Sequence, residues 1–105
     1  MPQAVSANVP DSVLSDPKHY KIEFENDKVR VVRISYGPNE KSVMHSHPAG
    51  TIVFLTDLRV RFTFPDGTSQ EMQAKAGQTV WMDATTHQPE NLSHQPLELI
   101  YVEAK

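Results

Sequence analysis

Short segments rich in β-branched and aromatic residues, separated by turn residues, make up most of the chain from Tyr20 onward. The clearest alternation runs through residues 58–64. Its apolar positions are Leu58, Val60, Phe62 and Phe64, and its polar positions are Arg59, Arg61 and Thr63. Because successive side chains of a strand point to opposite faces, this pattern predicts a strand with one core face and one face that is solvated or lines a cavity. The sequence PDG at 65–67 predicts a hairpin after it.

Other apolar segments have a similar short length and are bounded by Gly, Pro, Asn or Asp. They read YKIEF, VRVVRISY, TIVFL, QTVWM and LELIYVE. No stretch of ten residues shows a helical period, so we expect about eight to ten short strands and no helices. This arrangement predicts an all-β fold: a sandwich, a jelly roll or a small barrel.

The first 18 residues differ from the rest of the chain. They contain three prolines and several serines without a sustained period, so residues 1–18 are predicted to form an N-terminal arm that is flexible or lies against a partner subunit. Residues 19–105 are predicted to form a single barrel domain. A chain of 105 residues with 38% hydrophobic content supports one modest core and therefore one site.

Composition excludes several classes of function. The net charge is −3 and the ten basic residues are scattered, which argues against a nucleic-acid partner. There is no cysteine, so a transition-metal site must use nitrogen and oxygen ligands. The sequence has neither a basic, apolar leader nor an apolar run of membrane-spanning length, so we expect a cytoplasmic protein without membrane contact.

Candidate metal chemistry is concentrated in the stretch VMHSHPAG at 43–50. On a strand, His45 and His47 project from the same face and offer two adjacent coordination positions. His87 is the best third candidate, because it follows a strand and a turn that could return the chain to the same end of a barrel. His19 and His94 lie beside the arm and in a turn, and both are predicted to be solvent-exposed.

The spacing of these residues resembles the cupin superfamily. Its first motif is a glycine, five residues, HxH, three or four residues and a glutamate; its second is a glycine, several residues, a histidine, three residues and an asparagine. The matching positions here are Asn39 in place of the first glycine, His45, His47, Gly77, His87 and Asn91. Asparagine is a mild replacement, because it tolerates a left-handed turn better than most residues.

The resemblance covers residues 20–103 and is closest to small single-domain bacterial cupins, which share the FEND-VRV opening and the HSHP phrase. Some of those proteins are assigned to β-alanine degradation. The resemblance implies a cupin double-stranded β-helix (a jelly-roll barrel), metal ligation by His45, His47 and His87, and a homodimer. The two motifs together are much more specific for this family than either motif alone, because several spacings agree at once.

The family glutamate is missing, since its place falls on Thr51 or Ile52, and neither side chain can replace a carboxylate ligand. Three interpretations stay open. In the first, the site uses three histidines alone, which leaves the charge of a divalent ion uncompensated and favours anions. In the second, Glu90 supplies an oxygen, although it lies three residues from His87, and on a strand this spacing places the two side chains on opposite faces. Finally, the fold could persist as a shell with weak or no metal.

Nitrogen ligation with open positions is compatible with iron, zinc, nickel, cobalt or copper and disfavours magnesium and calcium. The resemblance therefore implies a metal-dependent enzyme of dioxygenase, isomerase or lyase type that acts on a small anionic metabolite. The alternative is a non-catalytic module of the same fold that binds or senses a small molecule. The candidate pocket residues are Thr51, Phe54, Arg61, Trp81 and Tyr101; for Trp81 a role as core or interface filler is equally compatible with the sequence.

Overall fold

The computed structural model describes residues 8–105, which form one short helix and nine strands. The helix α1 spans Ser12–Ser15, and the strands are β1 (Tyr20–Glu25), β2 (Val29–Tyr36), β3 (His45–His47), β4 (Gly50–Phe54), β5 (Leu58–Thr63), β6 (Ser69–Ala74), β7 (Thr79–Met82), β8 (Thr85–Asn91) and β9 (Leu97–Ala104). The all-β prediction is confirmed. Within the described residues no helix is long and apolar enough to cross a membrane.

The strands form two antiparallel sheets. One has five strands in the order β1-β2-β9-β4-β7, and the other has four in the order β3-β8-β5-β6. After β2 each strand lies in the other sheet from the one before it, except for the β5–β6 hairpin, so the chain winds back and forth between two layers, which is the arrangement of a jelly roll. The core includes Val32, Ile34, Ile52, Phe54 and Tyr101, all buried.

The alternation along β5 gives the predicted faces. Leu58 and Val60 are buried in the core, and Phe62 packs against it. On the opposite face, the guanidinium groups of Arg59 and Arg61 lie near the carboxylate of Glu71 on β6. The polar face of β5 is therefore a solvated face with cross-strand ion pairs, rather than the wall of a cavity.

Asn39 has the left-handed backbone that the sequence suggested, and the motif glycine Gly77 has a positive φ as well. Asn39 has a φ of 60° and Gly77 a φ of 90°. At Asn39, the position of the motif glycine, the side-chain amide also lies 3.2 Å from Nδ1 of His94. An asparagine therefore fills this turn position without the strain that most L-residues would cause.

The described part of the predicted arm is packed against the barrel. Asp11 caps the N-terminus of α1 by accepting a hydrogen bond from the backbone N–H of Val13 at 3.1 Å. Ser12 and Asp16 are buried. The described part of this segment is therefore held on the barrel, and a capped helical turn satisfies its backbone locally. Residues 1–7 lie outside the described residues, and the boundary between residues 18 and 19 stays a prediction.

Gly50 lies where two strands approach closely, and it provides a test of packing beside the histidines. A Cβ at this position would collide with the backbone carbonyl of Val102 and with the ring of Tyr101. Both belong to β9, which pairs with β4, so neither can move freely. We expect Gly50→Ala to lower the free energy of unfolding by about 1 to 3 kcal/mol, measured by urea denaturation. A midpoint equal to that of the unmodified protein would contradict this packing.

A transverse row of side chains crosses the outer face of the five-stranded sheet. The strand registers align Phe24, Val31, Val102, Thr51 and Trp81. Phe24 and Trp81, at the two ends of the row, are more than half exposed.

The homodimer implied by the family resemblance stays a prediction.

Candidate metal centre

Three buried histidines meet on the inner face of the four-stranded sheet. His45 and His47 lie at the two ends of β3, and β3 pairs with β8 so that His45 is directly opposite His87. The imidazoles of His45 and His47 point the same way because they are two residues apart on a strand. The antiparallel register then adds His87 to the same face. Pairing of β3 with β8 thus assembles the set that the sequence motifs predicted.

The distances within this cluster suit one metal ion. The Nε2 atoms of His45 and His47 are 2.9 Å apart, and one ligand nitrogen from each of the three histidines lies within 4.8 Å of the others. Two nitrogens that each lie about 2.1 Å from one ion, at an angle of about 90° to 109°, are about 3.0 to 3.4 Å apart. The His45–His47 pair is already close to this spacing, and His87 brings a third nitrogen to the same buried space.

The electrostatics of the site favour neutral imidazoles. Burial, and after it the nearby His47 ring, lowers the pKa of His45 to about 3. Burial, followed by the other two histidines, also lowers the pKa of His87 well below its ordinary value. Because only an unprotonated nitrogen can donate to a metal, these two side chains are in the ligand form at neutral pH.

An unpaired polar atom points to the same conclusion. Nε2 of His87 is buried and has no hydrogen-bond partner. One face of the ring stacks on Phe62 with the ring centroids 4.6 Å apart. A buried nitrogen without a partner is costly unless something else binds it. A metal ion shared with His45 and His47 would bind this atom.

Groups behind His45 fix its orientation. Its Nδ1 lies 3.0 Å from the backbone carbonyl of Val43 and 3.1 Å from the hydroxyl of Ser42. Since a carbonyl can only accept, Nδ1 carries the proton and Nε2 presents its lone pair to the centre of the cluster. Ser42 in turn donates to Asp16 at 2.6 Å.

A buried carboxylate that the sequence analysis did not single out lies behind His47. Glu103, on β9, is only 1% exposed, and its Oε2 lies 4.0 Å from Nδ1 of His47. Its Oε1 accepts a hydrogen bond from Nε of Arg30 at 2.5 Å. Glu103 has the same parity along β9 as the buried Leu99 and Tyr101, and this parity is the signal that could have identified it.

The structure resolves the question of a replacement for the missing glutamate. Ile52 is buried in the core, and Thr51 lies on the outer row. Glu90 lies opposite Arg61 across the β5–β8 ladder, with its carboxylate 3.7 Å from the guanidinium. Glu90 therefore faces away from the histidines, as its spacing from His87 indicated. Of the carboxylates considered as replacements, Glu103 lies nearest to the cluster, 4.0 Å from Nδ1 of His47, and it lies behind the ring of that histidine.

Two cavities adjoin the cluster. An inner cavity of about 40 Å³ is lined by His47, His87 and mainly apolar side chains, among them Ile52, Phe62 and Tyr101. An outer cavity of about 320 Å³ opens beside His87. Its other lining residues are Phe62, Phe64, Gln70, Glu71, Met72, Val80, Trp81, Met82, Asp83 and Thr85. The inner space holds little more than one water-sized molecule, so a larger ligand would extend into the outer cavity.

The predicted pocket residues divide into two groups. Tyr101 lines the inner cavity, and Trp81 lies at the rim of the outer one, 60% exposed, with its indole N–H donating to Asp83. The other three do not line either cavity. Thr51 and Arg61 lie on outward faces of their strands, and Phe54 belongs to the core. Strand parity explains all three, since bulges and pairings fix which face is inward.

The two remaining histidines also differ from each other. His94 is exposed, as expected. His19 was expected to be exposed and is buried, so that prediction was wrong. Its Nδ1 lies 2.6 Å from Asp16, its Nε2 lies 3.1 Å from Glu40, and its ring stacks on Tyr36. Two carboxylates and an aromatic face provide partners that the local sequence does not reveal.

Comparison with solved structures places this arrangement in a known fold. No protein-family model and no curated protein matches the chain. A cupin domain from Bordetella pertussis is 19% identical with a TM-score of 0.75, covering 95% of this chain and 99% of that one. A protein with a double-stranded β-helix domain from Klebsiella pneumoniae is 18% identical with a TM-score of 0.63, covering 97% and 82%. Oxalate decarboxylase from Bacillus subtilis is 18% identical with a TM-score of 0.57, covering 74% of this chain and 22% of its own. The chain therefore has the cupin fold, the double-stranded β-helix.

Proposed function

We propose that this protein binds one divalent transition-metal ion through His45, His47 and His87 and that the ion binds a small molecule. The observation that carries the proposal is the convergence of three buried imidazoles, two of them held neutral by burial. The donor set favours iron, zinc, nickel, cobalt or copper over magnesium and calcium, which prefer oxygen ligands.

The charge balance of the site supports an anionic group on the ligand. Three neutral imidazoles leave the charge of a divalent ion uncompensated, and a carboxylate oxygen would complete its coordination. The described residues that line the outer cavity include the carboxylates Glu71 and Asp83 but no lysine or arginine. The anionic group of the ligand would therefore bind at the metal, and the rest of the molecule would lie against Phe62, Trp81 and Met82.

We propose that the bound molecule is a substrate and that the reaction is of dioxygenase, isomerase or lyase type. The metal would supply Lewis-acid or redox chemistry. This chain's residues hold the histidines in position and surround the inner cavity mainly with apolar side chains. Its tyrosines there stay protonated near neutral pH and so cannot serve as general bases: burial raises the pKa of Tyr20 and of Tyr101, and the Tyr101 hydroxyl donates to the carbonyl of Pro48. The oxalate decarboxylase above has a small dicarboxylate as its named substrate, which is consistent with this class of ligand.

A non-catalytic binding or sensing module is the second candidate function. The observation in its favour is the apolar lining of the inner cavity: among the described residues that line it, the only titratable side chains are two tyrosines and two of the proposed ligands. A site without a free base suits binding as well as turnover.

Titration of the Co(II)-loaded protein with small carboxylates tests the proposal. Acetate and oxalate are expected to change the visible absorption bands of Co(II), because they would enter its coordination sphere; choline, a small cation, is the matched control. Consumption of the acid under air, followed by chromatography, separates an enzyme from a binder. Bands that do not respond to any carboxylate would contradict an anion site.

A further inference from the structure

The N-terminal segment, residues 9–16, lies along the strand that carries two of the three proposed ligands. Asp11 forms a parallel bridge with Ser46, whose N–H donates to the carbonyl of Pro10 at 2.9 Å. The hydroxyl of Ser46 donates to the carbonyl of Val9 at 2.8 Å. Ser46 lies between His45 and His47, so the segment holds the strand at the residue that joins the two ligands.

The position of β3 makes this contact important. It has three residues, lies at the edge of the four-stranded sheet and pairs there with β8 alone. A short edge strand with one neighbour has few hydrogen bonds to fix its place. The N-terminal segment provides the second neighbour of β3, and it does so directly beside the proposed ligands.

One carboxylate of the segment reaches the back of His45. Asp16, which is buried, accepts a hydrogen bond from Ser42 at 2.6 Å, and the Ser42 hydroxyl lies 3.1 Å from Nδ1 of His45. Because Ser42 donates its proton to Asp16, its oxygen is free to accept from the imidazole. Asp16 thus fixes the hydroxyl that helps to orient the ring.

The second carboxylate reaches the back of His47 by a separate route. Oδ1 of Asp11 accepts from Nη2 of Arg30 at 2.6 Å, and Nε of Arg30 donates to Glu103 at 2.5 Å. The other oxygen of Glu103 lies 4.0 Å from Nδ1 of His47, so it faces the ring without a hydrogen bond to it. Arg30 is therefore shared between the segment and the carboxylate behind the ring.

We propose that Asp11 and Asp16 are positioning residues of the metal centre, so that docking of the N-terminal segment on the barrel sets the affinity for the ion. The inference rests on the proposed metal site. Groups that hydrogen-bond the outer nitrogen of a ligand histidine commonly change metal affinity about 10- to 100-fold, because they fix the ring and its tautomer. By linkage, the metal must in turn stabilise the docked segment.

The test measures Co(II) affinity by competition with a chromogenic chelator, together with the visible Co(II) spectrum. Asp16→Ala and Ser42→Ala are expected to weaken binding about 10- to 100-fold and to shift the Co(II) bands, because the orientation of His45 changes. Leu14→Ala is the matched control, since Leu14 lies in the same segment but is 80% exposed; its affinity and spectrum should equal those of the unmodified protein. Equal affinity and equal bands in Asp16→Ala would overturn the inference.

Hydrogen exchange of the unmodified chain provides a second readout that does not depend on the folding of a variant. Zn(II) is expected to slow exchange of the Ser46 and Asp16 amides, and the effect should be absent in His87→Phe. Exchange that is insensitive to a bound ion would overturn the proposed coupling while leaving the metal site intact. If the unmodified protein binds neither Co(II) nor Zn(II), the proposed function fails and this inference with it, so the two failures are distinguishable.

Discussion

The substitution His87→Phe is expected to abolish stoichiometric binding of a transition metal. The affinity for the ion should fall by more than about 100-fold, which is the upper range for losing a group that only orients a ligand histidine. Phenylalanine keeps an aromatic ring that can stack on Phe62, but it removes the Nε2 atom that is buried without a partner. The fold should persist, because an apolar ring replaces an unsatisfied polar one. Metal content by mass spectrometry on untagged protein, after exposure to Fe(II) or Zn(II), provides the measurement.

His45→Ala should give the same loss of metal, and His94→Ala, at an exposed histidine outside the cluster, is the matched control. Zinc should also raise the thermal midpoint of the unmodified protein and of His94→Ala, since an ion at 100 times its dissociation constant adds about 2.7 kcal/mol to the free energy of unfolding. Metal retained by His87→Phe at the original stoichiometry would show that the three-histidine site is wrong.

Metal-free protein is expected to lose stability as the pH falls from about 6.5 to about 5. The pKa of His45 is lowered to about 3 in the folded state, and that of His87 is lowered in the same direction, both chiefly by burial. As the pH falls, the unfolded chain therefore binds protons at these two histidines before the folded protein does. The stability that is present above their unfolded pKa is lost as the pH falls toward their folded pKa. At about 1.4 kcal/mol per unit for each group, the expected loss over this window is about 3 kcal/mol.

Chemical denaturation at several pH values in the presence of a chelator would measure this slope. His87→Phe should reduce it by about half, and His94→Ala should leave it unchanged. The pKa of Glu40 is lowered to about 2 by hydrogen bonds from the Gly37 backbone, Lys18 and His19. Its effect on the pH dependence of stability therefore lies below its ordinary pKa near 4.5, outside the range from pH 6.5 to 5. A stability that is constant from pH 6.5 to 5 would mean that water reaches these imidazoles.

Some features of the site follow from local spacing and were predictable. The pair His45 and His47 faces one direction because residues two apart on a strand always do. The core face of β5 follows from the same period, as the burial of Leu58 and Val60 confirms. The left-handed turn at Asn39 is also local, since it depends on the conformational freedom of one residue.

Other features depend on pairings between distant segments. Strand parity within β9 places Glu103 inward, but only the packing of β2, β9 and β3 brings it behind His47 and beside Arg30. His19 reads as an exposed residue beside an arm, and it is buried because Asp16 and Glu40 converge on its ring. Likewise, Arg61 belongs to an alternating strand, and the pairing of β5 with β6 and β8 places it opposite Glu71 and Glu90, on the face away from the histidines.

By itself, the sequence determined the β class, the faces of individual strands and the pair His45 and His47, because these depend on residue type and on a period of two; the choice of His87 came from its position after a strand and turn and from the family resemblance. Only the tertiary structure decided which buried groups support those ligands and which strand faces line the cavities. These properties arise from long-range contacts: the register of β3 with β8, of β2 with β9, and the docking of residues 9–16 on β3. A one-residue shift in any register would reverse the faces without changing the sequence pattern.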